Sequence, residues 1–170
     1  PWHQDTPYWP IQGNQIASAW ISLDALTKEE CLEYVAGSQK GLIYDGFNPS
    51  KVSEDPTLPH YDASYPPLPD IEKHRDNYDI RSWEIIPGDV IIAHPSVLHG
   101  GGPTSSSGKR RAITIRIYGD DICYATRPDT KPTVPLTPGL SLSLKEGDPL
   151  RSPWYPRVRP IPDHLKSEWL

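Results

Sequence analysis

Proline occupies 21 of the 170 positions, against 12 glycines. Inside a helix it removes a backbone hydrogen bond and clashes with the preceding turn, and in a sheet it is confined to edges, ends and bulges. A chain punctuated this densely does not build a helix bundle; it predicts short strands joined by turns. No apolar run exceeds four residues, as at Val90 to Ala93, whereas about 18 or more are needed for a membrane span. The length suits one domain. The net charge of -5, from 17 Lys+Arg against 22 Asp+Glu, argues against nucleic acid as a partner.

Alternation locates the strands. Residues 15 to 23 and 110 to 118 have the period of two that marks a strand. In the second, Arg110, Ala112, Thr114 and Arg116 share one face, and Arg111, Ile113, Ile115 and Ile117 share the other. Residues 31 to 35, 80 to 86 and 89 to 94 read as further strands, the last two closed by Pro87-Gly88 and Pro95. Residues 96 to 100 lead into a predicted turn at Gly100-Gly101-Gly102-Pro103. Between 41 and 77 the chain is rich in Pro, Tyr, Asp and Ser without a period, which predicts a long loop of the kind that carries selectivity. The organised core is therefore placed at 1–120, followed by a Pro-rich extended segment, 121–170, laid over it. The fold expected is mainly β, an antiparallel sandwich or barrel.

The chain opens Pro1-Trp2-His3, with neither a basic nor an apolar leader region. The expectation is no signal peptide, or a piece whose upstream part lies elsewhere. Cys31 and Cys123 are expected as thiols in a reducing, cytoplasmic compartment.

The chemistry-bearing residues are few. In an extended segment His3 and Asp5 point the same way and Gln4 turns aside. An imidazole and a carboxylate make two metal ligands. His99, at a strand end beside glycines, is the best candidate for a third. Two histidines and one carboxylate form the facial set that leaves coordination positions of Fe(II) open. A lone HxD is common by chance; what adds weight is Arg110, eleven positions after His99, with Thr114 on the same face. His94, one residue before Pro95, reads as structural. Arg111 alternates away from Arg110, towards solvent or an acid. Tyr8 and Trp9 follow the HxD directly and either shape a substrate pocket or pack.

The segments HQD, GDVIIAHPSVLHGGGP and KRRAITIR, in that order, resemble the phytanoyl-CoA dioxygenase family of Fe(II)/2-oxoglutarate oxygenases. The resemblance covers roughly residues 1 to 120. It implies a double-stranded β-helix, or jelly roll, flanked by helices, with N-terminal helices and strands that this chain lacks. It implies iron ligands at His3, Asp5 and His99, and Arg110 as the anchor of the 2-oxoglutarate carboxylate. A guanidinium fork suits a planar anion. Trp20 matches a residue lining the co-substrate pocket, and Thr114 adds one hydrogen bond. GSQK at 37 to 40 resembles a family turn, with Gln39 in place of the usual histidine.

The implied cofactors are Fe(II), 2-oxoglutarate and O2, and the implied reaction is hydroxylation of a small organic molecule, with decarboxylation to succinate and CO2. Asp5 favours hydroxylation over halogenation, because related halogenases lack this carboxylate. The competing reading is a non-catalytic, or 2-oxoglutarate-independent, cupin-like metal-binding β-sandwich. Oligomeric state is not legible.

Overall fold

A computed structural model describes residues 1–45, 64–103, 108–126 and 144–150. Among the described residues eight strands run in chain order: β1 (Ile11–Gln12), β2 (Ile16–Ser22), β3 (Leu32–Val35), β4 (Ile80–Arg81), β5 (Val90–Ala93), β6 (His99–Gly101), β7 (Ala112–Tyr118) and β8 (Cys123–Tyr124). They form three antiparallel sheets, ordered β5-β2-β7, β4-β3-β6 and β1-β8. Short 3-10 turns at Ser38–Lys40 and Arg75–Asn77 are among the helical pieces described. No helix among the described residues is long and apolar enough to cross a membrane.

The two three-stranded sheets face one another across a cavity. Ser18, Trp20, Ala93 and Thr114 line it from one sheet, and Leu32, Tyr34 and His99 from the other. This is a mainly β, double-sheet architecture of the double-stranded β-helix type.

Register explains an unusual distribution of polarity. Ser18 lies across from Arg116 and Trp20 across from Thr114, and these side chains face the cavity. Their alternates therefore face outward. Ile113, Ile115 and Ile117 are 50%, 49% and 46% exposed, and Ile92 reaches 70%. The period of two that gives β7 a polar wall on the cavity puts its isoleucines on the outer surface.

Packing is concentrated elsewhere, in three clusters. Trp2, Val35, Leu68, Ile71 and Leu98 form one. Tyr8, Trp9, Ile11, Ile16 and Ile122 form a second, at the β1-β8 end. Leu26, Cys31 and Ile85 form the third, beneath Trp20. Cys31 and Cys123 are both free.

The boundaries differ from the sequence reading in definite ways. The expected strand at 80 to 86 is only Ile80–Arg81, because Ile85 leaves the ladder and pairs singly with Leu26. Pro87-Gly88 turns the chain as expected: Gly88 has φ +98, and the Asp89 carboxylate accepts from the Ile86 N–H at 2.9 Å. The expected glycine turn begins instead as strand, with His99, Gly100 and Gly101 paired to Tyr34, Glu33 and Leu32.

Chain beyond residue 120 contributes to the core. Ile122 is 2% exposed, β8 pairs with β1, and the Leu150 N–H donates to the Ile122 carbonyl at 3.1 Å. Much of the 41–77 loop lies outside the described residues. Its described end is tied down: Trp2 Nε1 donates to Glu72 at 2.8 Å, and Arg75 pairs with Glu33 on β3 at 2.6 Å.

The contrast between faces generates a stability test. Ile122→Ala, inside the β1-β8 cluster, should cost about 2–5 kcal/mol. Ile113→Ser, on the outer face of β7, should change stability by less than about 1 kcal/mol. Urea denaturation of both variants checks this, and the reverse ranking would contradict the assigned faces.

Candidate metal centre

His3 and His99 are joined by the backbone before their side chains meet. The His3 N–H donates to the His99 carbonyl at 2.8 Å, and the His99 N–H donates to the His3 carbonyl at 2.9 Å. This bridge sets the two imidazoles side by side, with ring centroids 4.2 Å apart. Asp5 is held separately: its N–H donates to the Pro95 carbonyl at 2.8 Å. Its carboxylate oxygen Oδ1 then lies 3.5 Å from His3 Nε2 and 3.9 Å from His99 Nε2. One donor atom from each of the three lies within 4.8 Å of the others. Donors each about 2.1 Å from one ion and at right angles around it sit about 3 Å apart, so a contraction of about 1 Å completes a facial set.

Hydrogen bonds on the far side of each ring favour this use. His3 Nδ1 lies 3.1 Å from the Pro1 carbonyl, and His99 Nδ1 lies 3.0 Å from the Val97 carbonyl. A carbonyl only accepts, so a proton on Nδ1 of each ring would leave the Nε2 lone pair for a metal ion beside Asp5. Burial, followed by the neighbouring His3, pushes the His99 pKa down to about 4, which keeps the ring neutral at pH 7. Burial opposes ionisation of Asp5. The hydrogen bond to His3 and the charge of Arg116 are among the contacts that outweigh it and hold the carboxyl below its ordinary value. Two neutral imidazoles and one carboxylate are donors suited to Fe(II).

Gln4 fixes the orientation from behind. Facing opposite to its neighbours and only 2% exposed, it donates to the Ser96 carbonyl at 2.6 Å and the Leu42 carbonyl at 3.1 Å, and accepts from the Tyr44 N–H at 2.8 Å. Three bonds on one buried amide clamp the segment that carries His3 and Asp5. Tyr34, across the ladder from His99, stacks on its ring at 5.6 Å and 14°. Neither role was visible in the sequence. Gln4 is signalled only by its alternation, and Tyr34 depends on a long-range register.

The other sequence candidates divide between wall and core. Arg110, Trp20 and Thr114 line the cavity together with His3, Asp5 and His99. Arg110 is aimed by its own contacts: Nη1 donates to the Gly102 carbonyl at 2.9 Å and the Glu30 carbonyl at 3.0 Å. Space along this edge is tight, and at Gly102 only glycine fits. A Cβ on Gly101 would come 3.1 Å from Arg110 Nη2, one on Gly100 would press on the Trp2 ring at 3.3 Å, and one on Gly102 would overlap the Glu29 carbonyl.

Arg111 turns out of the cavity to Asp24 at 2.7 Å. Tyr8 and Trp9, 3% and 2% exposed, lie in the β1-β8 cluster and not on the cavity wall. His94 borders the cavity, but both its nitrogens are engaged. Nδ1 accepts from the Ser96 N–H, so Nε2 donates to the Asn14 carbonyl.

A cavity of about 450 Å³ fronts the cluster, within the ~300–1,000 Å³ usual for small-molecule sites. It holds one carboxylate, Asp5, and two guanidinium groups, Arg110 and Arg116. Such a wall favours an anionic ligand placed between metal and cations.

The buried neutral His99 makes stability depend on pH. Unfolded, the ring has its ordinary pKa of 6.5; folded, about 4. Between those values the unfolded chain binds more protons, so stability falls as pH drops through that window. The His99 contribution is roughly 3 kcal/mol over the full interval. Unfolding of the metal-free protein at pH 7 and pH 4.5 should show this loss, and His99→Gln should remove that part of it. An unchanged slope in the variant would contradict the burial assigned to His99.

Comparison with known proteins places the chain among its relatives. The family model described as phytanoyl-CoA dioxygenase (PhyH) matches residues 1–112. A probable phytanoyl-CoA dioxygenase of Caenorhabditis elegans is 29% identical over 129 residues, 72% of this chain and 37% of that protein. The peroxisomal phytanoyl-CoA dioxygenase of Homo sapiens is 25% identical over 126 residues, 73% of this chain and 35% of that protein. The chain thus spans a little over a third of the length of these relatives.

Among solved structures, the non-heme α-ketoglutarate-dependent carbocyclase SnoK from nogalamycin biosynthesis superposes with a TM-score of 0.60 and 22% identity, over 89% of this chain and 52% of that one. The epimerase SnoN, in complex with Fe3+, α-ketoglutarate and nogalamycin RO, gives 0.57 and 20%, over 90% and 54%. At that identity the likeness concerns the fold. The family model covers well over half of the sequence, and the chain belongs to the phytanoyl-CoA dioxygenase family.

Proposed function

We propose that the protein is an Fe(II)- and 2-oxoglutarate-dependent dioxygenase that hydroxylates a small organic molecule. The observation that carries this reading is the convergence of His3, Asp5 and His99 at one end of a cavity that also contains Arg110. Metal-binding β-sandwiches that do not use a keto acid give no reason for a guanidinium on that wall.

The donor set fits a ferrous ion held by His3 Nε2, His99 Nε2 and an Asp5 oxygen. When bound, iron with 2-oxoglutarate and O2 supplies the oxidising power to hydroxylate a C–H bond, with release of succinate and CO2. The chain's residues do the rest. Gln4 and the His3–His99 bridge keep three donors on one face, leaving the cavity side of the metal for ligands. Arg110, with part of its fork already held by the Gly102 and Glu30 carbonyls, offers its remaining donors to the distal carboxylate of the keto acid. Thr114 is placed to add a hydroxyl on the same wall, and Trp20 to cover the carbon chain. The low-lying pKa values of His99 and Asp5 keep protons off the ligand atoms near neutral pH.

The test is consumption of 2-oxoglutarate and formation of succinate under air, with and without Fe(II). Turnover should require Fe(II) and be lost in Asp5→Ala and His99→Ala. Arg110→Gln should weaken 2-oxoglutarate binding about 10- to 100-fold, as expected for one lost charge-assisted fork. Metal binding without any keto-acid binding would favour the cupin-like alternative and end this proposal.

A further inference from the structure

We propose that Arg116 is a second anion-binding guanidinium of this cavity, holding a carboxylate on the metal side while Arg110 serves the far side. This rests on the metal-site reading above.

Arg116 lines the same cavity as His3 and Asp5. Its guanidinium carbon lies 4.5 Å from the centroid of the Trp9 ring. Trp9 is 2% exposed and held in the β1-β8 cluster, so the guanidinium sits over the face of a fixed ring. Its Nε is the one buried side-chain nitrogen or oxygen without a hydrogen-bond partner among the described residues. Buried donors are nearly always satisfied, and one that is not calls for a missing acceptor. No hydrogen bond or close ion pair among the described residues supplies it: Asp5 is within ion-pairing reach of His3 and His99, and it meets Arg116 only through a longer-range attraction.

The position separates its role from that of Arg110. Arg116 lies within β7 and Arg110 two residues before it; six residues of extended chain span about 20 Å, so the two forks approach the cavity from different ends. Arg110 spends part of its fork on the Gly102 and Glu30 carbonyls; among the described residues the Arg116 Nε has no acceptor. A planar guanidinium with a free Nε edge matches a carboxylate side-on. That carboxylate has two possible sources: the end of a keto acid that chelates the metal, or an acidic group on the second substrate.

Calorimetry on the Fe(II)-loaded full chain under argon separates them. Oxalate chelates iron and is too short to reach Arg110. If the chelating carboxylate is the ligand, Arg116→Met should weaken both oxalate and 2-oxoglutarate by at least about tenfold, with Arg116→Lys recovering part of the loss. Arg110→Gln should weaken 2-oxoglutarate alone. If the second substrate supplies the carboxylate, oxalate binding should be unchanged. Acetate binding to the Fe(II)–2-oxoglutarate complex should then be present in the wild type and lost in Arg116→Met.

Thermal unfolding of each variant controls for folding. Wild-type affinities for all three anions in a folded Arg116→Met would overturn the assignment and leave the metal-site reading intact. A wild type that binds no Fe(II) would overturn both.

Discussion

The two hydrogen bonds between His3 and His99 organise the site. They join residues 96 positions apart in sequence, and they do so through backbone, so the imidazoles are brought side by side whatever their rotamers. Further contacts refine this. The Val97 and Pro1 carbonyls set the tautomers, the Pro95 carbonyl places Asp5, and Tyr34 stacks on His99. Gln4 locks the opposite side of the same short segment. A cluster assembled in this way is largely pre-formed for the proposed metal, which would keep its reorganisation on binding small.

The same alternation that makes the site also shapes the outside. A sheet whose inner face carries Ser18, Thr114 and Arg116 has committed its polar positions to the cavity, and Ile92, Ile113, Ile115 and Ile117 emerge on the other face. The three buried clusters sit around the cavity and not within it. The polar cavity is thus walled by rigid strands and supported at its ends by aromatic packing, with Trp2 behind Gly100 and Trp9 under Arg116.

Much of this was legible beforehand where a pattern was long enough to read. β2 and β7, seven residues each, showed their period and were placed to within two residues at their ends. β1 and β8 were missed because two residues have no period, and only the pairing of Ile11 with Tyr124 reveals them. The strand expected to Ile86 stops at Arg81 because Ile85 packs into the Leu26–Cys31 cluster instead of continuing the ladder. His3, Asp5, His99 and Arg110 were nominated by motif and spacing, and the structure brings them to one cavity. The same-face alternation that nominated Thr114 also contained Arg116, yet only packing against Trp9 and the unpaired Nε distinguish it. Tyr34 and Gln4 act through contacts with distant residues, and no local pattern encodes those.

The central claim is that three side chains from distant parts of the chain hold one ferrous ion. Anomalous diffraction at the iron edge, from crystals grown anaerobically with Fe(II), tests it most directly. The account predicts a single peak about 2.2 Å from His3 Nε2, His99 Nε2 and an Asp5 oxygen, facing the cavity that contains Arg110. Iron bound elsewhere, or a peak contacting fewer than these three residues, would contradict it.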